Sequence, residues 1–474
     1  MTSPSGNQKI LIISHDVIGS RMAGPGIRYY HIARVLSKSF DVLLAVPQAT
    51  APDLPPTSFR TVTYQRNLWD SLAPLTSQAG AIILNGYSLV DFPQLSSLEI
   101  PLVIDGYDPH LAEWLQMTQF MPKEQEAGWE AVIEKLSLQY RAGDFFICAS
   151  ERQRDWWLGL LEANGRINPW TVQEDASMRH LVDVVAYGVL EAPPVKSRTV
   201  IRNLWPEIRP ADKIILWGGG LWLWLDPLTA IRAISQIWGH RQDVRLVFPG
   251  TRHPNPGMSQ MPTHLEAARA LSKELGLLDK VVFFGDWLPY QDWPDVLLES
   301  DVALSLSACD SLETRLAFRS RVFDYIWAGL PWISTPLDAT SDLLTQYELG
   351  ALVNLQDVSG LANAMEAILS RPRSEYQAAF QKARTAFTWE NVTRPLVNFC
   401  NQPHLAPDKP FLKKKFLVSL PQTPDPRQPE IDGLQQQVAS LENLVVAYRR
   451  RRIVRFADWI ANLKIFNCFP RSKS

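Results

Sequence analysis

The sequence predicts an α/β protein with two doubly wound, Rossmann-like domains in tandem, followed by a helical tail. Short apolar runs alternate with segments of helical character along residues 1–375, as they do where parallel strands are covered on both faces. The chain has 474 residues, more than one hydrophobic core usually supports. The alternation starts again after the proline-containing stretch 191–195, so we predict a domain boundary there.

The apolar runs place the strands of both domains. In the first domain, residues 1–190, they predict strands at 9–14, 41–46, 81–84, 101–105, 144–150 and 184–187. In the second domain, residues 196–375, they predict strands at 213–217, 244–248, 280–284, 301–305 and 332–335. Helices are expected at 27–36 and 227–238. Because ligands of such sheets bind at the carboxyl ends of the strands, we expect an interdomain cleft.

The rest of the chain changes character in three steps. Residues 376–400 predict a helix that returns to the domain interface. Residues 401–430 contain seven prolines and a run of three lysines, which indicates an extended linker. Residues 431–474 combine a short heptad stripe with a basic amphipathic helix, so they predict binding to a membrane surface or self-association. A disordered, solvated tail is the alternative.

Charge and cysteine content narrow the class of protein. Residues 1–400 carry 34 Lys+Arg against 43 Asp+Glu, whereas residues 401–474 carry 13 against 6. An acidic body argues against nucleic acid as a partner. The four cysteines form no Cys-x-x-Cys pair, so we expect neither a zinc site nor a disulfide framework, and a reducing cytoplasm fits. The N-terminus lacks the pattern of a signal peptide, and no apolar run is long enough to span a membrane.

The segment 312–331 is the most informative part of the chain. It holds Glu313, Arg315, Arg319, Arg321 and Asp324 between two predicted strands of the second domain. A carboxylate at the carboxyl edge of an α/β sheet can hold sugar hydroxyls, and arginines there can hold a diphosphate. The alternative is a solvated helix with i,i+4 ion pairs.

Glycines follow the first predicted strand of each domain. Gly24 and Gly26 follow the first predicted strand of the first domain, and Gly218, Gly219 and Gly220 follow the first predicted strand of the second domain. Such residues let a backbone approach a phosphate or sugar closely, although a tight turn without a ligand is the alternative for the first pair. Neither group has the G-x-G-x-x-G spacing of a dinucleotide site.

Two further strand ends carry polar residues. Arg252 and His253 follow the run at 244–248 and could meet phosphate or base, unless they form a bare surface loop. Asp105 and His110 follow the run at 101–105 and are candidates for acceptor binding or proton handling. An Asx turn with His110 on the surface is the alternative.

Together these features resemble glycosyltransferases of the GT-B architecture, of the retaining family 4 type. The resemblance covers about residues 8–400 and is clearest at 324–331, where an acid opens a helix that ends in Gly-x-Pro. It implies that Asp324 binds the ribose of a nucleotide and that Glu313 touches the donor sugar. Ten residues separate these acids where the family has seven, and the family's basic residues after the first donor-domain strand are missing here. Arg315, Arg319 or Arg321 would supply that charge.

The resemblance implies an enzyme that transfers a sugar from a nucleotide-diphosphate donor to a saccharide or lipid-linked acceptor, in cell-surface polysaccharide synthesis and with retention. It assigns Glu313, His110 and Asp105 as candidate catalytic residues and implies no cofactor and no required metal. The expected location is the cytoplasm, with peripheral attachment at the inner face of the plasma membrane as an option. A sugar-nucleotide epimerase, an NAD(P)-dependent oxidoreductase and a non-catalytic scaffold are the alternatives.

Overall fold

The computed structural model describes residues 8–48, 57–119 and 121–415, together with the single positions Gln437, Ser440 and Leu441. Contacts divide the chain into two units, Met1–Pro410 and Phe411–Ser474. Both predicted domains lie in the first unit. The heptad stripe and the basic helix predicted at 431–474 lie, apart from those three positions, outside the described residues.

The first domain is built on a seven-stranded parallel sheet in the order β3-β2-β1-β4-β5-β6-β7. Its strands are β1 Lys9–Ile13, β2 Asp41–Pro47, β3 Arg60–Tyr64, β4 Ala81–Asn85, β5 Leu102–Asp105, β6 Phe145–Cys148 and β7 Val182–Val184. The strand order reverses between β1 and β4, which is the switch point of a doubly wound fold.

The second domain repeats this plan with a six-stranded parallel sheet in the order β10-β9-β8-β11-β12-β13. Its strands are β8 Lys213–Trp217, β9 Val244–Phe248, β10 Val282–Phe284, β11 Val302–Ser305, β12 Trp332–Ser334 and β13 Gly350–Leu352. Here the order reverses between β8 and β11. The predicted α/β fold with two Rossmann-like domains is therefore confirmed.

Helices cover both faces of the two sheets and bury their apolar strands. They are α1 Gly24–Leu36, α2 Trp69–Thr76, α3 Gly86–Asp91, α4 His110–Thr118, α5 Pro122–Ala142, α6 Glu151–Ala163, α7 Pro169–Glu174, α8 Ile201–Leu204, α9 Pro227–Trp238, α10 Pro256–Ser259, α11 Leu265–Glu274, α12 Trp293–Glu299, α13 Leu312–Leu316, α14 Ser320–Ala328, α15 Ser341–Tyr347, α16 Val358–Leu369, α17 Gln377–Ala386, α18 Trp389–Val392, α19 Arg394–Asn401 and α20 Lys409–Lys415. None of the helices in the described ranges is long and apolar enough to cross a membrane.

The chain returns to the first domain after the second sheet is complete. Val189 donates a backbone hydrogen bond to Phe387 (2.8 Å) and accepts one from Trp389 (3.0 Å). The Trp389 indole stacks on the His31 ring of α1, with 5.0 Å between ring centroids. The outgoing and returning segments therefore run side by side where the domains join.

The prediction of an extended linker from residue 401 is wrong for its first part. Asp408 receives two hydrogen bonds from the Arg166 guanidinium (2.8 and 3.1 Å), and both side chains are almost fully buried. The Lys409 ammonium donates to Asp144 Oδ2 at 2.6 Å. The prolines indicated extension, but these buried ion pairs fix the segment against the first domain.

Candidate active site

A cavity of about 540 Å³ lies between the carboxyl edges of the two sheets. Its walls come from the loops that follow β1, β4 and β5 in the first domain and β8, β9 and β10 in the second, together with α13 and α14. Both switch points therefore open into the same space. This is where a doubly wound sheet binds its ligand.

The glycines after β8 bring backbone to the cavity surface. The Gly218 N–H donates to the Tyr325 hydroxyl (3.1 Å), and a Cβ on Gly218 would lie 2.7 Å from that oxygen. Gly219 has a φ of +95°, which side chains disfavour. All three residues, Gly218 to Gly220, line the cavity.

Arg321 lies beside these glycines in the first turn of α14. Its Nη2 donates to the carbonyl of Gly220 (3.2 Å), and its guanidinium packs over the Trp217 ring, 5.6 Å from the centroid. Its Nη1 is buried and has no hydrogen-bond partner among the described residues. Burial lowers the pKa of Arg321 to about 10, which still leaves it charged at neutral pH. An anion in the cavity would satisfy this group.

Asp324 lies one turn further along α14. Its Oδ2 accepts a hydrogen bond from the Trp293 indole (2.9 Å). Burial raises the pKa of Asp324 to about 7, although Trp293 and Arg321 oppose that shift. A carboxyl group poised near neutrality can accept hydrogen bonds from hydroxyl groups of a ligand.

Glu313 and Arg319 line the cavity as a bidentate pair. Arg319 donates to both carboxylate oxygens of Glu313, at 2.6 and 2.9 Å. Its Nε also lies 3.7 Å from Asp338, which is fully buried. Arg319 is thus held between two carboxylates. The two predicted site residues come together, but mainly to neutralise each other.

The two domains are in direct contact around the cavity. The Tyr107 hydroxyl donates to the Phe318 carbonyl (2.7 Å), and the Tyr290 N–H donates to the Ser20 carbonyl (2.7 Å). A Cβ on Gly24 would lie 2.7 Å from Ser320 Oγ and 3.3 Å from Ser320 Cβ, so a larger residue there would require the Ser320 side chain to move. Gly24 lines the cavity in the first turn of α1, where the sequence predicted a loop.

His110 begins α4 on the first-domain wall, and its tautomer follows from its neighbour. Asn85 Oδ1 accepts from the Tyr87 N–H (2.9 Å), which fixes it as the oxygen, and it also lies 2.9 Å from His110 Nε2. His110 Nε2 therefore carries hydrogen, and Nδ1 is an acceptor, 3.8 Å from Glu113 Oε2. Burial lowers the pKa of His110 and raises that of Glu113 to about 8.

His15 and Asp108 continue this wall, with 4.0 Å between His15 Nε2 and Asp108 Oδ2. Burial, and then the charges of neighbouring groups, lowers the pKa of His15 to about 3 and raises that of Asp108 to about 8. Asp16 links the domains, because its Oδ1 accepts from Asn255 Nδ2 at 2.8 Å. Hydrogen-bonding groups thus cover the wall opposite Arg321.

Four of the predicted site residues do not line the cavity. Asp105 is buried in an ion pair with Arg28, and Arg315 is exposed and paired with Asp310. Arg252 is exposed on the loop after β9, whereas its neighbour His253 lines the cavity. Gly26 lies inside α1, where a Cβ would meet the Val17 carbonyl at 2.4 Å. A buried ion pair, surface exposure or helix packing therefore accounts for the position of each of these four residues.

Sequence reasoning missed much of the first-domain wall and the aromatic lining. The missed residues include His15, Asp16, Asp108, Glu113, Trp287 and Trp293. Glu113 lies on an amphipathic helix, where one acid among polar residues carries no signal. Asp108 lies three residues after Asp105 in the same loop, but Asp108 lines the cavity and Asp105 does not.

Two tandem Rossmann-like domains with a ligand cavity at their facing carboxyl edges define the GT-B architecture. Residues 198–371 match the family model described as group 1 glycosyl transferases. The chain is a glycosyltransferase with the GT-B fold. This finding selects the transferase among the functions considered from the sequence.

Solved structures support the same fold. Sucrose-phosphate synthase from Thermosynechococcus elongatus is 16% identical, with a TM-score of 0.58 over 83% of this chain and 98% of its own. HepE of Anabaena, solved with UDP and glucose, is 14% identical, with a TM-score of 0.59 over 83% and 99%. A trehalose-6-phosphate protein from E. coli, bound with UDP-2-fluoro glucose, is 13% identical, with a TM-score of 0.57 over 84% and 100%. No curated protein sequence matches the chain.

Proposed function

We propose that this glycosyltransferase uses a UDP-sugar as its donor and transfers the sugar, with retention at the anomeric carbon, to a saccharide or lipid-linked acceptor. The observation that carries the donor proposal is the buried Nη1 of Arg321, which has no hydrogen-bond partner within the described residues and lies beside Asp324 and the glycine loop. HepE of Anabaena and the E. coli protein bind UDP or a UDP-sugar, which supports the choice of base.

The donor would lie against the second domain. Arg321 and the backbone at Gly218 to Gly220 would hold the diphosphate, and Asp324 would accept hydrogen bonds from the ribose hydroxyls. The cation and oriented N–H groups would stabilise the negative charge that develops on the departing UDP. Independence of a metal ion remains part of this proposal.

The acceptor would lie against the first domain. His110 Nδ1, held as an acceptor by Asn85, can bind the hydroxyl group that attacks the sugar. Glu313 would be held in place by Arg319 near the donor sugar, rather than act as a free base. Retention, a family 4 affiliation and a role in cell-surface polysaccharide synthesis are extensions of the family resemblance.

Asp324→Asn tests the donor site. The amide oxygen can still accept from Trp293, but the amide binds ribose hydroxyls less well than a carboxylate does. We expect UDP to bind about tenfold more weakly in calorimetry, since one hydrogen bond to a charged group is lost. Asp310→Asn, at an exposed acid paired with Arg315, is the matched control. Equal affinity for UDP in the Asp324→Asn variant and the wild type would reject the assignment.

The same variant should also change the pH dependence of stability. Because the folded pKa of Asp324 is raised from 3.8 to about 7, the wild type loses stability as the pH rises between those values. Asparagine does not ionise, so the melting temperature of Asp324→Asn should gain on that of the wild type from pH 4 to pH 7 and then run parallel. A constant difference across this range would contradict the expected ionisation.

The segment 431–474 is proposed to attach the enzyme to an anionic membrane surface or to pair two chains, which would place it at the inner face of the plasma membrane. Deleting 431–474 should reduce binding to vesicles that contain anionic lipid, or reduce the size of the oligomer in light scattering. UDP binding should stay unchanged, because the cavity lies within Met1–Pro410. No change in vesicle binding or in size would exclude both roles.

A further inference from the structure

The first-domain wall of the cavity is acidic. Four carboxyl groups line it, those of Asp16, Asp91, Asp108 and Glu113, against one guanidinium, that of Arg66. Arg66 is already engaged, because its Nη2 donates to the His15 carbonyl (2.7 Å) and its Nε lies 3.5 Å from Asp91 Oδ2. This wall therefore offers an incoming anion no free positive charge among the described residues.

Asp16 shows what this wall lacks. It is only 3% exposed, and its Oδ1 accepts a hydrogen bond from Asn255, whereas its Oδ2 is buried and has no hydrogen-bond partner in the described part of the chain. A buried carboxylate oxygen requires a hydrogen-bond donor, and leaving it without one is costly. A hydroxyl or ammonium group of a ligand in the cavity would supply that donor, whereas a phosphate or carboxylate would repel it.

The two histidines on this wall add no positive charge to it. His15 and His110 are both held neutral by burial, which lowers their pKa values. The free nitrogen of His110 is an acceptor, because Nε2 donates to Asn85. Like Asp16 Oδ2, this nitrogen requires a hydrogen-bond donor from the ligand.

The remaining cations that line the cavity belong to the second domain. Arg319 is neutralised by Glu313, so Arg321 is the one lining guanidinium without a carboxylate within ion-pair distance among the described residues. It lies beside the glycine loop after β8, where the proposed donor places its diphosphate. Once a donor is bound, the described lining residues offer no unpaired cation to a second, phosphorylated ligand.

We infer that the acceptor is a polyhydroxyl compound without a phosphate or carboxylate group, and that an amino sugar binds better than its neutral counterpart. This inference rests on the proposed function and specifies its acceptor. Hydroxyl groups satisfy Asp16 and His110. An ammonium group gains in addition from Asp108 and Glu113, because its positive charge favours the ionised form of these two carboxyl groups, whose raised pKa values of about 8 leave them largely protonated near neutral pH without it. A phosphorylated sugar would have to place its charge on the wall that holds the Asp16 carboxylate, where the described residues offer no unpaired cation to offset it.

Matched sugar pairs test this inference on the full chain. Binding of glucose, glucose 6-phosphate, glucosamine and glucosamine 6-phosphate would be measured by ligand-observed NMR, with and without saturating UDP, and UDP binding would be measured alone by calorimetry. We expect each unphosphorylated sugar to bind at least about tenfold more tightly than its phosphate, with glucosamine the tightest. Products formed from UDP-glucose, followed by mass spectrometry, should come from the unphosphorylated members.

A double variant, Asp108→Asn with Glu113→Gln, removes two of the acids at nearly constant volume. We expect it to lose the preference for glucosamine over glucose, while it keeps UDP binding as a sign of correct folding. Asp310→Asn should leave all four affinities unchanged.

Preferential binding of either phosphate overturns the inference, and so does a failure of all four sugars to bind. Loss of UDP binding alone refutes the donor proposal and leaves the acceptor inference standing.

Discussion

Replacing Arg321 with alanine should weaken the binding of UDP and UDP-sugars about 100-fold, the largest loss of affinity expected from a single change in the cavity. A buried cation that pairs with a diphosphate contributes roughly 2–5 kcal/mol, and each 1.4 kcal/mol is a factor of ten. The free protein should lose little stability, because Nη1 is buried without a hydrogen-bond partner among the described residues, and the contacts given up are the bond from Nη2 to the Gly220 carbonyl and the packing on Trp217. Calorimetry with UDP and thermal unfolding measure the two effects.

Arg315→Ala is the matched control for this experiment. Arg315 is also in the charged segment, but it is exposed and its guanidinium donates to both oxygens of Asp310, at 2.7 Å each. Its removal should leave UDP affinity unchanged. Arg321→Lys should fall between alanine and the wild type, since lysine keeps the charge but not the planar fork. Equal losses from Arg315→Ala and Arg321→Ala would show that general charge, not the cavity, holds the donor.

Replacing Asp105 with alanine should destabilise the protein by about 3–5 kcal/mol, the usual cost of breaking a buried ion pair. Asp105 accepts from Arg28 Nε (2.7 Å) and Nη2 (3.1 Å), and the two side chains are 2% and 1% exposed. The variant would leave the guanidinium buried, with the Ala186 carbonyl (3.0 Å) as its remaining hydrogen-bond partner among the described residues. The midpoint of urea unfolding reports the loss.

Asp108→Asn is the matched control for Asp105→Ala. Asp108 lies in the same loop, but it lines the cavity and has no arginine partner within ion-pair distance among the described residues. Its replacement should change acceptor binding and leave the unfolding midpoint nearly unchanged. If Asp105→Ala unfolds at the wild-type midpoint and loses only activity, then Asp105 is a functional residue after all.

The contrast between these two acids shows how far the sequence could predict the site. The loop after β5, where the sequence predicted site residues, lines the cavity through Asp108 and His110, since the carboxyl ends of parallel strands face the cleft of such a fold. Which acid enters the cavity depends on Arg28, which is 77 positions away in the chain. The same holds for Arg315 and Arg321, whose orientations follow from the break between α13 and α14. One sequence does not reveal such distant contacts.

The fold was more accessible to prediction than the site. The strands at 213–217 and 244–248 and the helix at 227–238 agree with the structure at both ends, because continuous apolar runs and an Asp-Pro N-cap are local signals. Strand β3 was missed because Arg60–Tyr64 alternates polar residues at the edge of the sheet. Strand β7 lies two residues before its predicted position, since the apolar run extends beyond the ladder.

The pairing of Val189 with Phe387 and Trp389 bears on how the enzyme can open. The polypeptide passes between the two domains twice, and backbone hydrogen bonds from Val189 to Phe387 and from Trp389 to Val189 join the two passages. A single covalent connection would let the domains rotate about several axes, whereas two connections that are hydrogen-bonded to each other restrict the rotation to one axis. When the cleft opens for substrate exchange, the domains should therefore rotate about a single hinge axis through Val189 and Thr388, and the residues at the entrance of the cleft should be displaced most.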